Sequence, residues 1–219
     1  MLIKIYKLFL LIFFITFVSP LYSKSDHIIK FNDKNFSNYL SAQISYNNQQ
    51  NTKSLKFFNS SKNLKNKHTP YLKQYIFSLI LDTRVNDAIK ELKRNVDKKN
   101  SDFFEAYFLL ILEDIKKDNY KKANKRLDIL SKFENNGAIE HIIYQSLKEY
   151  LYLFENNEIP KNKNNFGNLS IINTTFQNCY LGKKNTKAYF VNLINSNELE
   201  HSRYQYFYIN YLIHQGNYD

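Results

Sequence analysis

From Phe36 onward the apolar residues recur at helical spacing. Tyr71, Leu72, Tyr75, Ile76, Leu79 and Ile80 fall at i, i+1, i+4, i+5, i+8 and i+9, which places them on one stripe of a helix. Thr69 is a natural N-cap for that helix. Pro70 suits its first turn, where a missing N–H loses no partner. Asp102 and Glu105 have capping-box spacing, and Phe104, Tyr107, Phe108, Ile111 and Ile115 supply the buried face that follows. A long helix is predicted from Ile139 to Phe154, with Ile142, Ile143, Leu147, Tyr150, Leu151 and Phe154 on its face. Residues 155–167 contain Pro160, Gly167 and many Asn and Lys, so they read as a loop or a poor helix. Helices resume at 168–181, 186–194 and 202–214.

The amino terminus carries a different pattern. Lys4 and Lys7 precede an apolar run from Leu8 to Val18, broken only by Thr16, and Ser19, Pro20 and Ser23 follow. This is the arrangement of a secretory signal over residues 1–23. The run is short of the roughly 20 residues a membrane span needs. A retained anchor formed by residues 2–22 is the alternative, because Leu21 and Tyr22 make a mediocre cleavage site. Residues 24–35 are polar and read as a flexible lead-in.

Composition supports helices over strands. The chain has 219 residues, 43% of them hydrophobic, with only four Gly and three Pro. All-β folds need more turn residues than that. The single Cys179 excludes an intrachain disulfide, so an exported chain of this kind is held by packing alone. The formal charge is +11, and loss of Lys4 and Lys7 with the signal lowers it by two, to +9. A basic surface favours anionic partners. Runs such as Lys116-Lys117 and Lys121-Lys122 lie near acids, however, and read first as solvated helix backs.

Small residues mark a period. Ser54, Ala88 and Ala123 are separated by 34 and 35 residues, and Ala188 lies 65 further on, close to two repeats. Each is a candidate for the tight crossing of two helices. Similar polar turns precede Ala88 (from Leu81) and Ala123 (from Lys117). Residues 214–219 match them and point to a next small residue near position 221. The last helix is rich in Tyr and Phe and has no polar cap, so the natural protein is expected to continue past Asp219.

A unit of 34 residues, with small residues at its eighth and twentieth positions and a polar turn before the twentieth, resembles the tetratricopeptide repeat (TPR) family. Ala42, Ser54 and Ser61 match the eighth, twentieth and twenty-seventh positions of a first unit. Later units depart from the pattern: Ile76 and Ile111 stand at the eighth position, and Asn95 and Leu130 at the twenty-seventh. There is no Trp, and the unit-ending proline is absent except for Pro70. The resemblance covers residues 36–133 well and 168–219 moderately. It implies an all-α fold, a right-handed α-solenoid of helix-turn-helix repeats over residues 36–219, irregular around 155–167. It also implies a concave groove lined by the first helix of each unit. The matching positions are Tyr39, Gln43, Tyr46 and Asn47, then Lys73, Phe77 and Ile80, then Phe108, Leu112 and Lys116. Rings, amides and lysines in one groove suit a protein or peptide partner.

Little in the chain suggests catalysis. His27, His68, His141, His201 and His214 form no i, i+4 pair and no His-Glu-x-x-His. No metal site, catalytic residue or cofactor is expected. Cys179 lies in an apolar helix with no base placed beside it by the sequence, and no Gly-rich phosphate loop exists. Aromatic residues and lysines also occur together in single-strand binders, but here the aromatics follow helix periods, so no nucleic-acid partner is expected. The leading expectation is an exported, periplasmic scaffold for protein–protein interactions in a bacterial cell envelope. The alternative is the non-catalytic superhelix of a cell-wall lytic enzyme. Soluble lytic transglycosylases look similar in outline, and the catalytic domain would then lie beyond residue 219. A membrane-associated adaptor that keeps residues 2–22 is a third reading.

Overall fold

The computed structural model describes residues 32–95, 99–195 and 202–216. The signal segment 1–23 therefore lies outside the described residues. Among those described there are ten α-helices and no strand. In chain order they are α1 Asp33–Asn47, α2 Asn51–Ser60, α3 Thr69–Leu81, α4 Val85–Lys93 and α5 Phe104–Ile115. They continue with α6 Tyr120–Leu130, α7 Ala138–Asn156, α8 Asn168–Tyr180, α9 Thr186–Asn195 and α10 Ser202–His214. Each packs chiefly on the helix before it and the helix after it.

The starts of the helices differ from expectation in three places. The first helix begins inside the expected lead-in, at Asp33, because the Asn32 side chain accepts from the Asn35 N–H at 3.0 Å and caps it. His68, not Thr69, is the N-cap of α3, and Thr69 is already helical with Pro70 in its first turn. Phe103 is the N-cap of α5 without a side-chain bond. Asp102 makes no capping box; it accepts from the Tyr107 hydroxyl at 2.9 Å and from Lys132, just past the end of α6. A carboxylate that meets an ammonium thirty residues away is better satisfied there than by a backbone N–H.

The helix ends carry the period more clearly than the sequence does. Gln49, Thr83, Asp118, Gly182 and Gly216 all have positive φ, at intervals of 34, 35, 64 and 34 residues. At the first four, two bonds close the turn. Gln49 N–H donates to the Tyr46 carbonyl and Gln50 N–H to that of Ser45, each at 2.9 Å. Thr83 and Arg84 repeat this on Ile80 and Leu79, Asp118 and Asn119 on Ile115 and Asp114, and Gly182 and Lys183 on Cys179 and Asn178. This is the Schellman arrangement, which satisfies the last carbonyls of a helix and reverses the chain. The long helix α7 ends otherwise. Asn157, also left-handed, makes a single bond to the Leu153 carbonyl at 2.8 Å, and the chain enters an irregular segment.

Equivalent positions are buried alike. Ala42, Ile76 and Ile111 are at most 1% exposed, and so are Ser54, Ala88 and Ala123, and Ser61, Asn95 and Leu130. Two core clusters result. The first joins α1 to α4 through Ala42, Phe58, Tyr71, Ile76 and Leu92 and takes in Ala106 and Leu110 of α5. The second uses the other face of α5, with Phe104, Tyr107 and Ile111 packed against Leu127, Leu130, Leu147 and Leu151. Helix α5 is thus buried on both sides and joins the two.

Ala188 does not occupy the expected crossing; it is exposed. Thr186 takes the place, fully buried, with its hydroxyl donating to the Asn178 carbonyl at 3.1 Å. The turn after Gly182 differs from the others, and the small residue arrives one position earlier. Two residues along a helix is about 200° of rotation, which carries Ala188 to the other face.

Candidate partner-binding surface

The helices α1, α3 and α5 each bring one face to a shared surface. They are the first helices of three consecutive helix pairs, so residues about one period apart become neighbours. The Tyr39 hydroxyl donates to Gln74 Oε1 at 2.8 Å across 35 residues, and the Gln43 amide donates to the same oxygen. Lys73 Nζ lies 3.0 Å from Glu105 Oε1, across 32 residues. The same ammonium sits over the rings of Phe77 and Phe103, each 5.7 Å from the centroid. Lys73 is half-exposed, so its ion pair is screened and modest, while the two rings add cation–π attraction and hold the chain flat. Glu105 Oε2 is enclosed without a hydrogen-bond partner, so the carboxylate keeps acceptor capacity.

Most expected groove residues are accessible. Gln43, Tyr46, Lys73, Phe77, Ile80 and Phe108 are half-buried, and Asn47, Leu112 and Lys116 are exposed. Tyr39 is the exception. It is 7% exposed, its ring packs on Phe58, Tyr71 and His68, and its oxygen lies 2.9 Å from His68 Nε2. Burial raises its pKa. It supports the surface from beneath and does not line it. The structure brings together Gln43 with Tyr39, and Lys73 with Phe77. Lys116 stands at the far end of α5, just past its last helical residue.

Three contributors escape the sequence reading: Gln74, Phe103 and Glu105. The signal for Glu105 is its spacing from Lys73, close to one period; its position near a helix start suggested capping instead.

Elsewhere the titratable groups are placed structurally. Arg126 of α6 pairs with Asp114 of α5, both side chains nearly buried, and also donates to the Leu110 carbonyl at 3.0 Å. His141 Nδ1 lies 3.0 Å from Glu134 Oε1, a pairing invisible in sequence. Cys179 is part-buried, and burial pushes its thiol up, away from reactivity at neutral pH. Among the described residues no cluster of three or more His, Cys, Asp or Glu is placed to hold a metal. No described helix is long and apolar enough to cross a membrane. No protein-family model, curated protein or solved structure matches this chain.

Proposed function

We propose that the chain is a TPR-like right-handed α-solenoid that serves as an exported scaffold, holding a protein or peptide partner on the surface formed by α1, α3 and α5. The observation that carries this is the recurrence of one turn geometry at Gln49, Thr83 and Asp118, with the small residues Ser54, Ala88 and Ala123 buried five residues after each. Identical turns followed by identical crossings stack helix pairs side by side, and stacking leaves the first helices in a row. Along that row a partner meets Gln43 and Gln74 amides, the Phe77 and Phe103 rings, Lys73, Leu112 and Lys116. A segment with apolar side chains and an acidic group complements that mixture. No bond is made or broken; recognition rests on shape and charge.

The test is capture from bacterial envelope extract with residues 24–219, comparing wild type with a Lys73→Glu, Lys116→Glu double variant of unchanged helicity. The reading expects a partner retained by wild type and lost by the variant. Equal capture of every protein by both would overturn this surface. Export itself is tested by mass spectrometry of the mature amino terminus, where cleavage near residue 23 is expected.

A further inference from the structure

We infer that the contact between α7 and α8 is a polar joint, at which the three-helix group α8 to α10 swings relative to helices α1 to α7. Four observations converge on it.

Neither apolar core cluster crosses this boundary, although Leu153 of α7, on the same helical face as Glu149 and Tyr150, is fully buried there. The second cluster ends at Leu147 and Leu151 of α7 and includes no residue of α8. Beyond it the helices build a separate aromatic centre. Phe176 of α8 packs on Phe190 of α9 at 5.9 Å and on Phe207 of α10 at 5.1 Å, and Phe190 packs on Tyr208 and Tyr211 at 5.5 Å.

What meets across the boundary is largely polar. Asn173 Nδ2 donates to Ser146 Oγ, the Tyr150 hydroxyl to Asn173 Oδ1, and Gln177 Nε2 to Glu149 Oε2, all at 3.3 Å. Lys163 of the connecting segment donates to Gln177 Oε1. Asn164 of the same segment donates to Gln145 at 3.1 Å. Ring contacts are few: Phe154 with Tyr180 at 5.0 Å and His141 with Phe166 at 6.0 Å.

The connection is long and irregular. Nine residues separate Asn157 from Gly167, with no helix among them, whereas α1–α2, α3–α4 and α5–α6 are joined by tight Schellman turns. The turn period also breaks here, since Asn157 lies 39 residues after Asp118 and Gly182 only 25 after Asn157.

Opening an apolar contact exposes surface that water opposes, in proportion to area. Opening this one uncovers Leu153 and the Phe154–Tyr180 contact but otherwise exchanges long protein hydrogen bonds for bonds to water, which changes little. The seam is therefore specific when closed yet free to part, and its parting alters the angle between the α1–α7 body and the α8–α10 group. This inference is independent of what the α1–α3–α5 surface binds.

The experiment measures spin-label distances in the full chain with Cys179→Ser. One pair is placed at the exposed Lys125 of α6 and Lys187 of α9, which spans the joint. A control pair at Lys56 and Lys125 lies within the α1–α7 body. A broad distribution for the first pair and a narrow one for the control is expected. A single narrow distribution for the spanning pair would overturn the inference, and so would equal breadth in both pairs. In a Glu149→Leu, Gln177→Leu background the spanning distribution should narrow. Unchanged breadth there would refute polarity as the source of the motion.

Discussion

The Ser54 hydroxyl, buried where α1, α2 and α3 meet, donates to the Ala42 carbonyl at 3.0 Å and lies 3.2 Å from the Ser78 hydroxyl. One small polar side chain thus ties a helix pair together and links it to the next. At the equivalent crossings Ala88 and Ala123 fill the space with no polar atom. Ser54→Ala should lose about 1 kcal/mol, chiefly because Ser78 loses its hydroxyl partner. The Ser54→Ala, Ser78→Ala double variant should recover part of that. A double-mutant cycle in urea checks it, and strict additivity would argue against the coupling.

Ala88→Leu and Ala123→Leu should each destabilise by about 1–3 kcal/mol, since neither site has room for three more carbons. The same change at Ala188, which is exposed, should be nearly neutral. Thermal unfolding of the three variants side by side tests the reassignment of the crossing to Thr186. A large loss at Ala188 would contradict it.

Arg126 and Asp114 form the most enclosed ion pair described, with side-chain exposures of 11% and 5%. Arg126→Ala leaves the carboxylate buried beside the α5–α6 crossing without its partner. The expected loss is about 3 kcal/mol, measured by urea denaturation at neutral pH. Arg126→Met together with Asp114→Leu should be far milder, because both charges go at once.

The repeated left-handed turns allow a prediction of opposite signs. Thr83 is β-branched at a φ of +62°, where its side chain is strained. Thr83→Gly should stabilise by about 1 kcal/mol, the approximate cost of a left-handed residue. Gly182 sits at +59°, and a Cβ there would touch nothing within 4 Å. Gly182→Ala should therefore destabilise by a similar amount, about 1 kcal/mol, through backbone conformation alone. Equilibrium unfolding of both variants checks the pair.

Tyr150 lies at the α7–α8 seam, and burial pushes its pKa up to about 12, with the Glu149 charge adding to the shift. The neutral phenol is the form the fold favours. Its contribution is whole below the ordinary tyrosine pKa and is lost as pH rises from there through about 12. The difference in tyrosinate absorbance between wild type and Tyr150→Phe should therefore titrate late. Tyr150 is buried in the closed seam, so a difference titrating at the ordinary tyrosine value would show that the open form, not the closed one, prevails.

Much of the architecture was legible in the chain. The stripes at 71–80 and 104–115, the long helix near 139–154 and the three later helices follow from local spacing, because a helix face depends only on residues a few positions apart. Proposed site residues fared unevenly. Gln43, Lys73, Phe77 and Leu112 lie on accessible faces of their helices, but Tyr39 does not, since Phe58, Tyr71 and His68 arrive from other helices to cover it. Glu105 was readable as a cap and serves instead as the partner of Lys73, an interaction that exists only when α3 and α5 lie together.

The sequence alone determined that the chain is helical, where most helices run, and that a unit of about 34 residues recurs, because each is set by contacts within one turn or one short loop. Tertiary structure decided which small residue sits at a crossing, which tyrosine is buried and where the apolar core gives way to a polar seam. Those outcomes depend on side chains brought together from different helices, far beyond one turn in sequence, and on turns in which one added residue rotates a helix by about 100°. Nothing in the local pattern around Ala188 or Gln177 carries that information.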